Sequence, residues 1–348
     1  MADDQIYNYV SDYIDGVITR EQFWALARFK YPTHQIVFCT DAAMKTFQIS
    51  DKIKEVSRIG IGCMRITGLP DEKAVRALIE GSMELGINFF DHADIYAGGE
   101  AEAVFGNALT PELREKMVIQ TKCAIRPGIC YDFSKEHILN SVDGSLKRLK
   151  TDYIDILLLH RPDALMEPEE VAEAFDILEK SGKVKVFGVS NHNPMQIELL
   201  NQYCGGKICI DQIQFSAAHC PTIDAGLNVN IHNDAGCSRD GNLIEYARLK
   251  KLTLQAWSPF QYGMFEGIFI GNEKFPELNK VLDELSEKYG VTQNAIATAW
   301  ILRHPAGIQT IVGSTNLKRI QDISKAADIT LTREEWYRVY LAAGKLLP

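Results

Sequence analysis

No apolar run in this chain approaches the roughly 18 residues that a spanning helix needs, and Met1 to Gln5 carries neither a basic leader nor an apolar signal core. Neither membrane insertion nor secretion is expected, and the cytoplasm is the expected location. No CxxC pair occurs among the eight cysteines, so they read as ordinary reduced thiols and not as a disulfide framework. His219-Cys220 and His232 with Cys237 match no closed metal-site spacing, and no metal is expected. Positive charge is in deficit: 37 Lys and Arg against 46 Asp and Glu leave a net charge of −9. That balance disfavours general binding to nucleic acid or to an anionic membrane surface. Small-molecule chemistry is the better expectation, in a chain whose 46% apolar and 24% charged residues are ordinary for a globular protein.

A glycine-rich G-x-G-x-x-G turn after an early strand is missing too, which argues against a doubly wound open sheet built around a dinucleotide. From Met44 onward, strand-like and helix-like segments alternate, the pattern of a parallel sheet covered by helices. Eight strand candidates end near Gly62, Asp91, Lys122, His160, Ser190, Gln214, Trp257 and Gly313. Helical patterns lie between them at 72–85, 101–108, 135–149, 168–181, 194–203, 242–250 and 275–303, the last divided near Gly290. Two more helices are expected, one after Asn316 and one from Thr332 through Ala343. Met44 to Ile49 and Ile53 to Ser57 predict a hairpin across the barrel's bottom. The expected fold is α/β: a (β/α)8 TIM barrel over 44–348, with a bottom-closing β-hairpin and extra C-terminal helices. Residues 1–43 stand outside this rhythm. Ile6, Tyr7, Val10 and Ile14 fit one helix face, and Thr19 with Gln22 forms a capping-box pattern, so an N-terminal helical extension is expected. Oligomeric state is left open.

In such a barrel the active site forms where the strands end. Polar residues recur at those ends: Asp91 to Tyr96 after the second strand, Lys122 on the third, His160 on the fourth, Ser190-Asn191 on the fifth. Gln212 and Gln214 follow on the sixth, Trp257-Ser258 on the seventh and Gly313-Ser314 on the eighth. A lysine at the rim of an apolar strand needs a partner, and Asp91 on the adjacent strand supplies one. A cation beside Tyr96 is expected to make its phenol the stronger acid. The set suits acid–base chemistry at a carbonyl, for which no side chain can supply the hydride, so a nicotinamide cofactor is implied.

These residues resemble the aldo-keto reductase family. Asp91-His92-Ala93-Asp94-Ile95-Tyr96 is similar to its Asp-x-Ala-x-x-Tyr motif, followed by Gly98-Gly99 and Glu102. Leu157 to Asp163 and Gly188-Val189-Ser190-Asn191 resemble two later signatures. His-Arg-Pro-Asp and the Glu334-Glu335-Trp336-Tyr337 ending look like a bacterial branch of predicted oxidoreductases. The resemblance implies that Tyr96 is the proton donor, that Lys122 and Asp91 assist it, and that His160 positions the carbonyl. It implies that Ser190, Asn191 and Gln212 hold the cofactor's carboxamide and that Trp257 stacks on the nicotinamide. Gly62, Cys63 and Met64 would lie close by, and Ser258-Pro259-Phe260 would begin the loop over the pyrophosphate. Gly313, Ser314, Thr315 and Arg319 would meet the adenosine phosphate, which favours NADPH. NADH stays possible, because Gly313 and Ile323 replace a lysine and an asparagine common in the family. The expected substrate is a small aldehyde or ketone. Two alternatives remain: a Schiff-base lyase using Lys122, and a catalytically weak nucleotide-binding regulatory subunit.

Overall fold

Eight apolar segments pair side by side in chain order and close on themselves. They are β1 (Ile59–Gly62), β2 (Phe89–Asp91), β3 (Val118–Cys123) and β4 (Ile154–Leu159), then β5 (Val184–Ser190), β6 (Ile208–Gln214), β7 (Thr253–Trp257) and β8 (Gln309–Val312). Every neighbouring pair is parallel, and β8 returns to β1 with Ile311 opposite Gly60. This computed structural model describes residues 46–347; the expected helical extension, with Thr19 and Gln22, lies outside them.

Period-two alternation sends every second side chain inward. Phe89, Val118, Ile156, Leu158, Val186, Ile210 and Ile311 form one buried cluster with Ile49, Ile53 and Val56. Those last three belong to the expected hairpin, in which Thr46–Phe47 pairs antiparallel with Val56–Ser57 and Ser50 bridges to Ile53. The hairpin therefore closes the barrel's floor by filling it with apolar side chains. Gly60 leaves room for this packing: a Cβ there would stand 2.7 Å from the Phe89 ring.

Helices cover the outside, and their starts follow side-chain caps. Asp71, Ser134 and Thr292 accept from backbone N–H groups at the starts of Glu72–Glu84, Lys135–Leu149 and Gln293–Leu302. The C-terminal helix Arg333–Ala342 opens on a Thr332–Glu335 capping box. It docks through Trp336, stacked 4.8 Å from Trp300, each indole N–H donating to the other residue's carbonyl. Turns at Gly205 and Gly290 end their helices in the left-handed region. Short pieces escaped the periodic reading: helices Pro111–Glu115 and Pro221–Leu227, and 3-10 turns over Cys63–Gly68 and Tyr96–Gly99.

Candidate active site

Asp91 ends β2, and Lys122 lies near the end of the neighbouring β3, both almost wholly buried. Lys122 Nζ donates to both Asp91 carboxylate oxygens at 2.8 Å and to the His92 carbonyl at 2.8 Å. It also donates to Tyr96 Oη at 3.2 Å. A phenol oxygen that accepts from the ammonium keeps its own hydrogen free to point elsewhere. Tyr96 reaches this place through a tight turn in which Ala97, Gly98 and Gly99 have φ of 50°, 65° and 95°. The turn is tied down by buried Glu102, which accepts from Thr121 Oγ1 at 2.5 Å and from Arg148 Nε at 2.8 Å.

Burial pushes the Tyr96 phenol up, and this outweighs the opposing pull of Lys122. The expectation of a strengthened acid is corrected: desolvation of the phenolate wins. Burial tends to lower the Lys122 amine, but Asp91 and Tyr96 more than offset it, and the net direction is up. His160 follows β4; its ring stands 6.1 Å from that of Tyr96, nearly perpendicular. Burial, then Lys122 and Arg161, hold it well below the usual histidine range, so the imidazole is neutral. Its Nδ1 is enclosed without a partner among the described residues. His92 and His192 are buried as well; His92 packs edge-on against Phe105 at 4.5 Å.

The residues implied for a carboxamide also come together. Ser190 Oγ donates to the Gln212 carbonyl at 2.7 Å, and Asn191 Nδ2 donates to Ser190 Oγ at 2.8 Å. Trp257 Nε1 donates to Asn191 Oδ1 at 3.1 Å. Asn191, at φ 61°, occupies the left-handed region that asparagine tolerates. Gly62 is in register with Asp91; Cys63 is buried, while Met64 is 40% exposed. After β7, Ser258 turns at φ 49°, Pro259 is buried and Phe260 half-buried. The Gln261 carbonyl in that loop is anchored by Ser216 Oγ at 2.7 Å. After β8, Gly313 and Arg319 are exposed, Ser314 and Thr315 half-buried. Asn316 Oδ1 caps the helix Leu317–Ser324 by accepting from Arg319 N at 3.0 Å. Lys318, in the first turn of that helix, is paired with Asp322 at 3.0 Å.

Asp94 gives a test by pH. One of its oxygens is enclosed without a partner among the described residues, and burial, then the Glu102 carboxylate, push its carboxyl up to about 7. The folded value lies above the unfolded one of about 3.9, so the folded state holds the proton more tightly between them. Stability therefore falls as pH rises from about 4 to about 7 and is flat above. Asp94→Asn is expected to be more stable than the wild type by roughly 1–2 kcal/mol at pH 8, with the gain gone near pH 4. Urea unfolding of both proteins at the two pH values checks this; a pH-independent difference contradicts it.

The aldo/keto reductase family model matches residues 58–341. The chain belongs to the aldo/keto reductase family. It is 37% identical over 317 residues to the 6-dehydroglucose reductase of Agrobacterium fabrum, covering 87% of this chain and 99% of that one. It is 38% identical over 314 residues to the uncharacterized oxidoreductase YcsN of Bacillus subtilis, covering 86% and 98%. Among solved structures it resembles an aldo-keto reductase from Klebsiella pneumoniae in complex with NADPH. There the TM-score is 0.70 at 23% identity, over 87% of this chain and 97% of that one. A second model, for a family of proteins of unknown function (DUF3990), matches residues 1–49. The aldo/keto reductase barrel is thus an oxidoreductase. Sequence reasoning missed Gln120, Gln255 and Gln309, which lie buried beneath the site; their signal was a polar residue inside an apolar strand for the first two and at the start of one for Gln309.

Proposed function

We propose that this aldo/keto reductase reduces an aldehyde or ketone to an alcohol with NADPH, Tyr96 giving the proton. The observation that carries the reading is the hydrogen bond from Lys122 Nζ to Tyr96 Oη, with Lys122 clamped by Asp91. The residues present fit a nicotinamide. Ser190, Asn191 and Gln212 offer hydroxyl and amide groups beside the Trp257 indole, and Gly313 opens onto space that a Cβ would not fill. Gly62, Cys63 and Met64 flank the same rim, Ser258, Pro259 and Phe260 begin the covering loop, and Ser314, Thr315 and Arg319 suit the adenosine phosphate. The cofactor supplies hydride to the carbonyl carbon. The protein's part is to orient the carbonyl oxygen with neutral His160 and to protonate it from Tyr96. Lys122 then stabilises the phenolate left behind, and Asp91 keeps Lys122 in place.

A cavity of about 420 Å³ adjoins Asn191 and Trp257 and is lined further by Arg161, His192 and Gln214. His192 Nε2 and Gln214 Nε2 are enclosed without partners among the described residues. Because His192 Nδ1 lies 2.9 Å from the Ser190 carbonyl and so carries the ring proton, its Nε2 is an acceptor, whereas the Gln214 amide nitrogen is a donor. A hydroxyl group can donate to an acceptor of the first kind and accept from a donor of the second. That chemistry favours a polyhydroxylated aldehyde, in keeping with the 6-dehydroglucose named for the Agrobacterium relative.

NADPH oxidation measured across simple aldehydes, ketones and sugar-derived aldehydes tests the reading. Turnover is expected, faster with NADPH than NADH and best with the hydroxylated aldehydes. Tight NADPH binding with no turnover on any carbonyl would favour the regulatory-subunit alternative. For the lyase alternative, borohydride trapping is expected to give no adduct on Lys122, because an amine held as an ammonium is not a nucleophile.

A further inference from the structure

A line of buried amides joins the Asp91 carboxylate to the barrel's floor. Gln309 Nε2 donates to the Ser57 carbonyl at 2.8 Å, and Gln255 Nε2 donates to Gln309 Oε1 at 2.8 Å. Gln255 Oε1 accepts from Gln120 Nε2 at 2.9 Å and from Gln212 Nε2 at 3.0 Å. Both of those nitrogens also donate to Asp91 Oδ1, at 2.6 Å and 3.1 Å. Branched apolar side chains usually fill such positions, and a buried amide is costly unless its partners are present. All four glutamines are at most 2% exposed.

The two ends of the line restrict how its amides are oriented. A peptide carbonyl only accepts, and so does a carboxylate. A chain of hydrogen bonds with an acceptor at each end must contain a group that donates in both directions. An amide nitrogen with two hydrogens does this, and Gln120 and Gln212 hold that place. Their side-chain oxygens are consequently excluded from the line. Gln212 is in register with Ser190, whose hydroxyl donates to the Gln212 backbone carbonyl, and the Gln212 side-chain oxygen is left as an acceptor that the line does not use.

We propose that Gln255 and Gln309 are positioning residues for cofactor recognition. By fixing the Gln212 amide, they make it present its oxygen, an acceptor, to the N–H of a nicotinamide carboxamide. The inference rests on the reductase reading above. Neither residue is assigned a contact with cofactor or substrate; both act through Gln212.

The test compares NADP+ with its 3-acetylpyridine analogue, whose methyl ketone offers no N–H, by titration calorimetry. The wild type is expected to bind NADP+ about tenfold more tightly than the analogue, the effect of one well-made hydrogen bond. Gln255→Leu should reduce that ratio to about twofold, because Gln212 loses one of the two acceptors that fix its amide and keeps only the longer bond to Asp91. In Gln255→Glu a buried, protonated acid accepts through its carbonyl and donates through its hydroxyl, so the ratio should stay within about twofold of the wild type. Gln255→Leu with an unchanged ratio overturns the proposal, even where both ligands bind more weakly, since that would be a purely structural effect. If Gln255→Leu does not fold, Gln309→Met serves instead: a ratio lowered at least about threefold supports the proposal, and an unchanged one overturns it. A wild type that binds both ligands equally defeats this inference alone. A wild type that binds neither defeats the reductase reading and this inference with it.

Discussion

Tyr96→Phe is expected to lower kcat for carbonyl reduction roughly 100- to 10,000-fold, the range for loss of a positioned general acid. The dissociation constant for NADPH should stay within about twofold, since the lost hydroxyl faces the reacting oxygen and the remaining ring keeps its packing. Two features of the site argue for an effect of this size. Burial raises the phenol, so Tyr96 carries its proton throughout the neutral range and is ready to donate at any ordinary assay pH. Lys122 donates to the same oxygen at 3.2 Å, and that bond strengthens as negative charge develops on it, which is where a transition state gains over a ground state. Neutral His160 cannot replace the phenol as an acid, because burial and the cations beside it hold it deprotonated. Steady-state NADPH absorbance gives the rate, and fluorescence titration gives the affinity. Turnover within about tenfold of the wild type would remove Tyr96 as the proton donor.

Much of the fold and of its polar rim is legible in the sequence, for a physical reason. A barrel strand is short, its side chains alternate, and its polar end stands out against an apolar run, so Asp91, Lys122, Ser190 and Trp257 were all placed at strand ends by pattern alone. The hairpin from Thr46 to Ser57 was legible because Ser50-Asp51-Lys52 interrupts two apolar stretches. What pattern does not report is how large opposing effects balance. Lys122 beside Tyr96 suggests a lowered phenol, yet burial outweighs it, and burial becomes known only once the fold has closed. His92 looks like a loop residue in sequence but lies against Phe105 with no exposure. Gln255 and Gln309 looked unexceptional because their partners are 135 and 252 residues away, at Gln120 and at Ser57. Hydrogen bonds of that range leave no periodicity to read.

Lys122→Met should destabilise the folded protein by about 3–5 kcal/mol, because removing one partner leaves the other charge buried without compensation. Asp91 is 2% exposed, and without the ammonium its donors among the described residues are the amide N–H groups of Gln120 and Gln212. Methionine fills similar space, so lost packing accounts for little of the effect. The double variant Lys122→Met with Asp91→Asn separates the two roles of this ion pair. Both charges are then gone, the neutral amide still accepts from Gln120 and Gln212 through its oxygen, and stability should return to within about 1–2 kcal/mol of the wild type. Activity should not return: the phenolate formed after proton transfer still lacks its cation, so kcat should remain depressed by at least about 100-fold in both variants. Urea midpoints and NADPH-linked turnover measured on the three proteins decide the matter. A double variant as unstable as the single one would locate the cost in packing. A double variant that regains both stability and turnover would mean that the Lys122 charge serves the fold alone and takes no part in protonating the carbonyl.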